Sequence, residues 1–361
     1  MSGDAASSSS RAMGGGQAPL LTVEDLRVAF RTEDGLVQAV DGVSFHVDAG
    51  EVLAIVGESG CGKSVTGMTL LGLTRGPNAR FDGHATFGGT DLVSASDEQL
   101  RRIRGAEIAM VFQDPMTALN PVQRIGPQLA EQIRAHADVG KDAAIERARA
   151  LLERVGIPRP AERLRAFPHE LSGGMRQRVM IAMALSCDPR LLIADEPTTA
   201  LDVTIQAQIL EEVRQLREET GAGVILITHD LGVVADVADR VAVMYAGQIV
   251  EHGTLDEIFY DPQHPYTWGL LGSIARVDRP RPARLPAIAG TPPSLASPPH
   301  GCRFRPRCPH AFETCAELPP LEARVGDGEH LDRCWLPVAE KREKREVKGQ
   351  IGLAGGEVAA A

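Results

Sequence analysis

Residues 57 to 64 have the types and the spacing that phosphate binding requires. They read GESGCGKS and fit the pattern GxxxxGKS, after a predicted strand and before a helical pattern. In such a loop the glycines let backbone N–H groups turn toward phosphates, the lysine neutralises the β- and γ-phosphates, and the serine hydroxyl coordinates magnesium. A glycine turn with an incidental lysine is the alternative for the motif alone. The candidate residues are Gly57, Glu58, Ser59, Gly60, Cys61, Gly62, Lys63 and Ser64.

An acidic pair, Asp195 and Glu196, follows the apolar run LLIA. A carboxylate at the carboxyl end of a buried strand faces the crevice where ligands bind in α/β sheets, so Asp195 is predicted to be a magnesium ligand. Glu196 is then placed near the γ-phosphate, where it could orient and polarise the attacking water as a general base. Without the phosphate loop, the function of this acidic pair would be ambiguous.

The elements that must position these residues can be predicted from the apolar patterns. VLAIVG, LLIADE and GVILITH are short continuous apolar runs, typical of parallel strands that are buried on both faces. Between Leu20 and Val52, LLTVEDLRVAF and AVDGVSFHV alternate apolar and polar residues, as half-buried antiparallel strands do. Helical spacing prevails from about 115 to 190 and indicates a helical insertion. The expected fold is an α/β core with an antiparallel β subdomain.

A second glycine-rich motif, LSGGMRQR, occupies residues 171 to 178. Ser172, Gly173 and Gly174 precede the helical run RQRVMIAMAL, so they could offer a hydroxyl, backbone N–H groups and a helix N-terminus to an anion. A Ser-Gly-Gly helix start without a ligand is the alternative. With the phosphate loop and the acidic pair, this motif resembles the signature of ABC-type ATPases, which are P-loop NTPases. The resemblance implies that it binds the γ-phosphate of a nucleotide held by the opposite subunit of a head-to-tail dimer.

Four further positions match motifs of the same family. Gln113, in MVFQDP, resembles the glutamine that touches magnesium and the attacking water. Asp202, in TALD, resembles the loop that crosses the dimer interface. His229, after GVILIT, resembles the histidine that holds the γ-phosphate and Glu196. Phe30 resembles the aromatic residue that stacks on adenine, although a core phenylalanine in a strand would fit the pattern nearly as well.

Two positions differ from the usual sequence of the family motifs. Cys61 stands where the phosphate loop usually has serine, and Met175 where glutamine usually follows the signature glycines. Neither change removes an essential group, because the loop acts through the backbone N–H at position 61. A thiol there suggests the hypothesis that oxidation or alkylation blocks nucleotide binding.

Charge and hydropathy narrow the class of protein. The 361 residues carry a formal net charge of −10, which offers no basic surface to nucleic acid. We find no apolar run of about 20 residues and no secretory signal, so we expect the protein to stay in the cytosol. Acidic charge, a single cassette and the lack of a long coiled coil speak against a soluble ABC-type ATPase that acts on nucleic acid.

Three stretches resemble the ATPase subunits of oligopeptide and dipeptide importers. They are FQDPMTALNP at 112–121, HPYTWGLL at 264–271 and the C-terminal cysteine pattern. The resemblance implies that two such ATPases, identical or homologous, lie at the cytoplasmic face of the membrane beneath two permease subunits fed by an external solute-binding protein. The solute is not specified by this chain, and a nickel chelate, glutathione or a sugar are alternatives to peptides.

Four of the six cysteines cluster near the C-terminus, separated by five, six and eighteen residues. Four thiolates can bind tetrahedral zinc or a [4Fe–4S] cluster. The spacing lacks close CxxC pairs, and the importer resemblance implies a cluster in some members, so iron–sulfur is favoured over zinc and over an empty or disulfide-linked site. A cluster would act as a structural staple or, alternatively, as a redox sensor. The residues are Cys302, Cys308, Cys315 and Cys334.

The predicted domain organisation follows from these patterns. Residues 1–19 form a disordered N-terminal arm, and 20–262 the ATPase domain with its helical insertion at about 115–190. Residues 263–338 form a C-terminal extension that contains a proline-rich connector at 279–299 and the cysteines, and 339–361 form a flexible tail.

Overall fold

A computed structural model describes residues 18–33, 35–197, 203–273, 288–325 and 328–347. Within these residues the chain forms two β-sheets. The smaller sheet is antiparallel and has the order β2-β1-β4-β5. Its first two strands are the segments near the start of the chain in which apolar and polar residues alternate. Its strands are β1 Leu21–Thr32, β2 Gly35–Val47, β4 Ala79–Phe87 and β5 Thr90–Asp91.

The larger sheet has the order β11-β12-β10-β9-β3-β8-β7-β6. Its central part, from β9 to β6, is parallel, whereas β10, β12 and β11 add an antiparallel edge. The strands are β3 Val52–Val56, β6 Ile108–Val111, β7 Leu191–Asp195, β8 Gly223–Thr228, β9 Arg240–Tyr245, β10 Gln248–Thr254, β11 Glu322–Ala323 and β12 Leu331–Asp332.

The parallel strands carry the core of the molecule. Every residue of β3, β6, β7 and β8 is buried, as the continuous apolar runs predicted for β3, β7 and β8. Full burial of a valine, leucine or isoleucine side chain contributes about 1.5–3 kcal/mol, so the burial of these strands stabilises the sheet strongly. Parallel strands end at a common edge, and the residues that follow them therefore meet there.

Helices flank the sheets, and those between β6 and β7 form a consecutive group, α3 to α7. Short 3-10 helices occur at Pro168–Glu170, Leu185–Cys187, Arg305–Arg307 and Glu313–Ala316. None of the helices in the described parts of the chain is both long and apolar enough to cross a bilayer. The α-helices are α1 Lys63–Leu70, α2 Asp97–Ile103, α3 Pro115–Ala118, α4 Ile125–His136, α5 Lys141–Arg154, α6 Pro160–Arg163, α7 Gly173–Ala184, α8 Val203–Thr220, α9 Leu231–Val237, α10 Leu255–Tyr260, α11 Pro265–Gly272 and α12 Val338–Val347.

The last helix differs from the sequence prediction. Residues 339–361 were expected to form a flexible tail, but α12 extends to Val347, and the residues beyond it lie outside the described part. Lys341 on this helix is fully buried, and its Nζ lies 2.7 Å from Oδ1 of the equally buried Asp332. Arg345 pairs with Asp261 at 2.8 Å. The charge run is thus partly used to dock the helix, which a count of charges does not reveal.

Candidate active site

The phosphate loop connects β3 to α1, and two of its glycines are required by close backbone contacts. Gly57 has a φ of 155° and Gly62 a φ of 106°. A Cβ atom at Gly57 would lie 2.1 Å from the carbonyl oxygen of Met244, and one at Gly62 would lie 2.2 Å from that of Ala39. Any larger residue at either position would therefore displace backbone as well as strain the loop.

Lys63, the first residue of α1, points back into the loop. Its side chain is almost completely buried. Its Nζ donates hydrogen bonds to the carbonyl oxygens of Gly57, at 2.8 Å, and Glu58, at 3.0 Å. These bonds hold the ammonium group inside the curve of the loop, where a phosphate anion would meet both the charge and the backbone N–H groups.

Ser64 and Asp195 meet beside the loop. The Ser64 hydroxyl donates to Oδ1 of Asp195 at 2.9 Å. Adjacent ligands of an octahedral magnesium ion, each about 2.1 Å from the metal, lie about 3 Å apart, so this pair of oxygens fits the ion. Burial raises the pKa of Asp195 and the Ser64 hydrogen bond opposes that shift. A cation at this position would favour the ionised carboxylate.

Glu196 lies between Gln113 and His229. Gln113 Nε2 donates to Oε2 of Glu196 at 2.8 Å, and His229 Nδ1 is 3.3 Å from Oε1. The three residues follow β6, β7 and β8, so the common edge of the parallel sheet brings them together. Glu196 has a φ of 46°, and such strain in a non-glycine residue is typical of functional positions. This arrangement can orient a carboxylate toward a water molecule.

The second glycine-rich motif forms the start of α7. Ser172 is the N-cap residue, and its Oγ accepts a hydrogen bond from the Met175 N–H at 3.3 Å. Ser172 and Gly173 are exposed, so this helix start is accessible to a ligand from outside the chain. Asp202 lies outside the described residues.

The signature helix is linked to the acidic pair by a residue that the sequence analysis did not single out. Gln177 is buried on α7, and its Nε2 donates to the carbonyl oxygen of Pro197 at 2.8 Å. Pro197 directly follows Glu196. Gln177 stands between Arg176 and Arg178 in the sequence, so no local pattern distinguished it.

Comparison with known proteins gives the family. The ABC transporter family matches residues 40–199, and the C-terminal region of oligopeptide/dipeptide transporters matches residues 250–315. The oligopeptide transport ATP-binding protein OppD of Bacillus subtilis is 55% identical over 91% of this chain and 92% of its own length. The dipeptide transport ATP-binding protein DppD of the same organism is 56% identical over 88% of this chain and 94% of its own length.

The chain belongs to the ATP-binding subunits of oligopeptide and dipeptide ABC transporters. As an ABC-type ATPase it shares its fold with solved cassettes. One of these is a dimeric ATP-binding cassette in a post-hydrolysis state, bound to ADP and phosphate. It is 25% identical, has a TM-score of 0.60, and covers 65% of this chain and 98% of its own length.

Two candidate residues of this ATPase differ in how far the structure supports them. Phe30 lies on β1, half-buried against the core of the antiparallel sheet, a placement that fits both adenine stacking and core packing. Cys61 is only 5% exposed, and burial raises the pKa of its thiol. A buried, protonated thiol reacts slowly, which argues against the hypothesis of an oxidation-sensitive loop.

The four C-terminal cysteines of the ATPase line one small cavity together with His310. None of the four is part of a disulfide, and burial raises the pKa of Cys334 to about 12. Within the described ranges, however, no group of three or more cysteine, histidine or acidic side chains is arranged to hold a metal ion. The expected iron–sulfur cluster, and zinc as its alternative, are therefore not supported by this geometry.

Proposed function

We propose that this subunit binds and hydrolyses MgATP to drive the import of oligopeptides or dipeptides. The observation that carries the proposal is the position of Glu196, which Gln113 and His229 hold next to the Ser64–Asp195 pair at the edge of the parallel sheet. A phosphate loop, a metal-binding pair and an oriented carboxylate are the parts that ATP hydrolysis needs.

Binding is assigned to the phosphate loop. Its backbone N–H groups surround the phosphates, and the Lys63 ammonium compensates their negative charge. Ser64, Asp195 and Gln113 would hold magnesium, which supplies further charge neutralisation when bound.

Hydrolysis is assigned to the residues around Glu196. The carboxylate accepts a proton from water as the water oxygen bonds to the γ-phosphorus, while the bond to the leaving ADP oxygen breaks. His229 lies on one carboxylate oxygen and Gln113 on the other. These contacts restrict the carboxylate to one orientation and leave His229 itself, with its side chain 60% exposed, able to contact the γ-phosphate.

The signature residues are assigned to a partner subunit's nucleotide. Ser172, Gly173 and Gly174 present an accessible helix start, and Asp202 is proposed to lie at the same dimer interface. The dimeric state of the solved ADP-bound cassette supports this assignment. The second subunit is either a copy of this chain or a homologous ATPase.

The remaining partners follow from the relatives, which are named for oligopeptide and dipeptide transport. We assign two permease subunits and an external solute-binding protein, with this subunit bound peripherally at the cytoplasmic face of the membrane. The ATPase domain is proposed to span residues 20–262, with the helical insertion at about 115–190 contacting the permeases, and the C-terminal extension to span 263–338.

A pull-down from detergent-solubilised native membranes tests the transporter assignment. The tagged chain should recover two permease subunits, a second ATPase and a solute-binding protein, and the eluate should hydrolyse ATP. The ligand of that binding protein then identifies the solute. Recovery of soluble or nucleic-acid-associated partners alone would contradict the assignment.

For the four cysteines the proposal is a [4Fe–4S] cluster that staples the C-terminal extension, with zinc as the alternative. Its support is that Cys302, Cys308, Cys315 and Cys334 line one cavity. Anaerobic purification should give a brown protein with stoichiometric iron and sulfide. A colourless protein that contains zinc would show that the cysteines bind zinc and not the cluster. A metal-free protein would overturn both assignments.

A further inference from the structure

The C-terminal region holds the phosphate loop from two directions. The Arg307 guanidinium forms a two-pronged ion pair with the Glu58 carboxylate, with Nη2 3.0 Å from Oε1 and Nη1 in contact with Oε2. Tyr266 on α11 accepts a hydrogen bond from the backbone N–H of Glu58 at 2.9 Å. Both the side chain and the main chain of this loop residue are thus fixed by residues more than 200 positions later.

Arg307 is itself held rigidly. Its Nε donates to the carbonyl oxygen of Ala289 at 2.9 Å, and its guanidinium lies 5.8 Å from the centre of the Tyr245 ring. Its side chain is only 4% exposed. A buried guanidinium with several fixed partners loses little further freedom when it binds a carboxylate, so it can act as an anchor for the loop.

Aromatic packing connects the two contacts. The rings of Tyr245 and Tyr266 are 4.5 Å apart, and Phe304 packs against both, at 5.3 and 5.4 Å. Phe304 immediately precedes the short helix Arg305–Arg307. The anchor residues therefore form one packed unit with β9, and a shift of one would displace the others.

The anchored residue also bears on the phosphate-binding lysine. Lys63 Nζ donates to the carbonyl oxygen of Glu58, whose N–H and carboxylate are bound by Tyr266 and Arg307. The adjoining Gly57 carbonyl accepts the second Lys63 bond. The position of the ammonium group is consequently coupled to the C-terminal region through a single residue.

We propose that Arg307 and Tyr266 are positioning residues for ATP binding, acting through Glu58. The inference rests on ATP hydrolysis at this loop and adds a dependence on the C-terminal region. Without the anchors the entry to the loop gains freedom that nucleotide binding must remove, and that ordering cost weakens affinity. Chemistry at Glu196 is not directly affected, so the effect should fall on KM more than on kcat.

The test is a titration of the purified full-length chain with MgATP carrying a fluorescent ribose label, beside ATPase assays on the assembled transporter. Arg307→Ala should raise the nucleotide Kd and the KM for ATP about fivefold to tenfold, with kcat within about twofold. Tyr266→Phe removes one hydroxyl and should raise Kd about twofold to threefold. Arg307→Lys keeps the positive charge but cannot form the two-pronged ion pair, so its nucleotide Kd should lie between those of wild type and Arg307→Ala.

Arg305→Ala is the matched control. Arg305 lies on the same short helix as Arg307 but is exposed. This variant should bind nucleotide like wild type. Glu58→Gln should weaken binding much as Arg307→Ala does, and the double variant should be no weaker than either single variant, because both remove the same contact.

Distinct results would overturn the proposal. Unchanged Kd in a folded Arg307→Ala protein would exclude the positioning role, as would fully additive effects of Glu58→Gln and Arg307→Ala. A loss confined to kcat would place the role elsewhere in the cycle and likewise exclude it. If Arg307→Ala does not fold, Tyr266→Phe and Arg307→Lys decide by the same criteria. Wild-type protein that binds no nucleotide would overturn the ATPase assignment itself, a separate failure.

Discussion

The edge of the parallel sheet and the C-terminal region from 288 onward are built by different rules. At the sheet edge, polar side chains follow β3, β6, β7 and β8 directly and meet because those strands are parallel neighbours. In the C-terminal region, Arg303 binds Asp41 and Arg307 binds Glu58 across more than 200 residues of chain. The sheet edge provides the reactive groups, and the C-terminal region provides long-range ion pairs, one of which holds a residue of the phosphate loop.

The largest effect should come from the sheet edge. Glu196→Gln removes the proposed base but keeps a side chain of similar shape, so turnover should fall about 10²–10⁴-fold while ATP binding persists. Steady-state ATPase assays and nucleotide titration measure the two quantities. Turnover near the wild-type rate would refute the base assignment. The midpoint of thermal unfolding should be little changed, because the substitution at the sheet edge affects turnover and not stability.

The next effect should come from the C-terminal region and concern stability. Asp332→Ala leaves the buried Lys341 ammonium without its partner at 2.7 Å, which should lower the free energy of unfolding by about 3 kcal/mol. Chemical denaturation measures the change. The matched control is Glu98→Ala, which breaks the exposed pair with Arg102 and should cost less than about 1 kcal/mol. Equal losses in both variants would contradict the argument from burial.

A smaller change is expected at the loop. Lys63→Ala removes the ammonium group that neutralises phosphate charge, and it should raise the nucleotide Kd about 10-fold to 100-fold. Nucleotide titration in the presence of magnesium measures it. Lys141→Ala, at the start of α5, is a charge-matched control and should leave binding unchanged. Comparable losses in both variants would point to net charge as the cause.

The smallest effect should be seen with thiol reagents. Burial raises the pKa of Cys61, so the thiolate is scarce at neutral pH and alkylation should leave ATPase activity nearly intact. Labelling of Cys61, followed by peptide mass spectrometry, should accelerate as the pH rises. Cys61→Ser serves as the control: inactivation of wild type but not of this variant at neutral pH would restore the oxidation hypothesis.

The contrast also explains what could be predicted from sequence. The parallel strands and the phosphate loop depend on local features, namely short apolar runs and glycines at fixed spacing, and both were predicted. The strained backbone of Glu196 and the Gln177–Pro197 bond depend on tertiary contacts and leave no local pattern. Arg307 could not be predicted because its partner is distant in the chain. The buried Lys341 was missed because a charge run ordinarily remains solvated.

The close approach of Gly57 to Met244 has a consequence for how the protein is made. The Met244 carbonyl on β9 is the atom that a Cβ at position 57 would strike, so the loop borders on a strand synthesised much later. During translation the phosphate loop leaves the ribosome long before this neighbour exists. The phosphate loop of the nascent chain therefore gains this packing neighbour only after β9 has been synthesised.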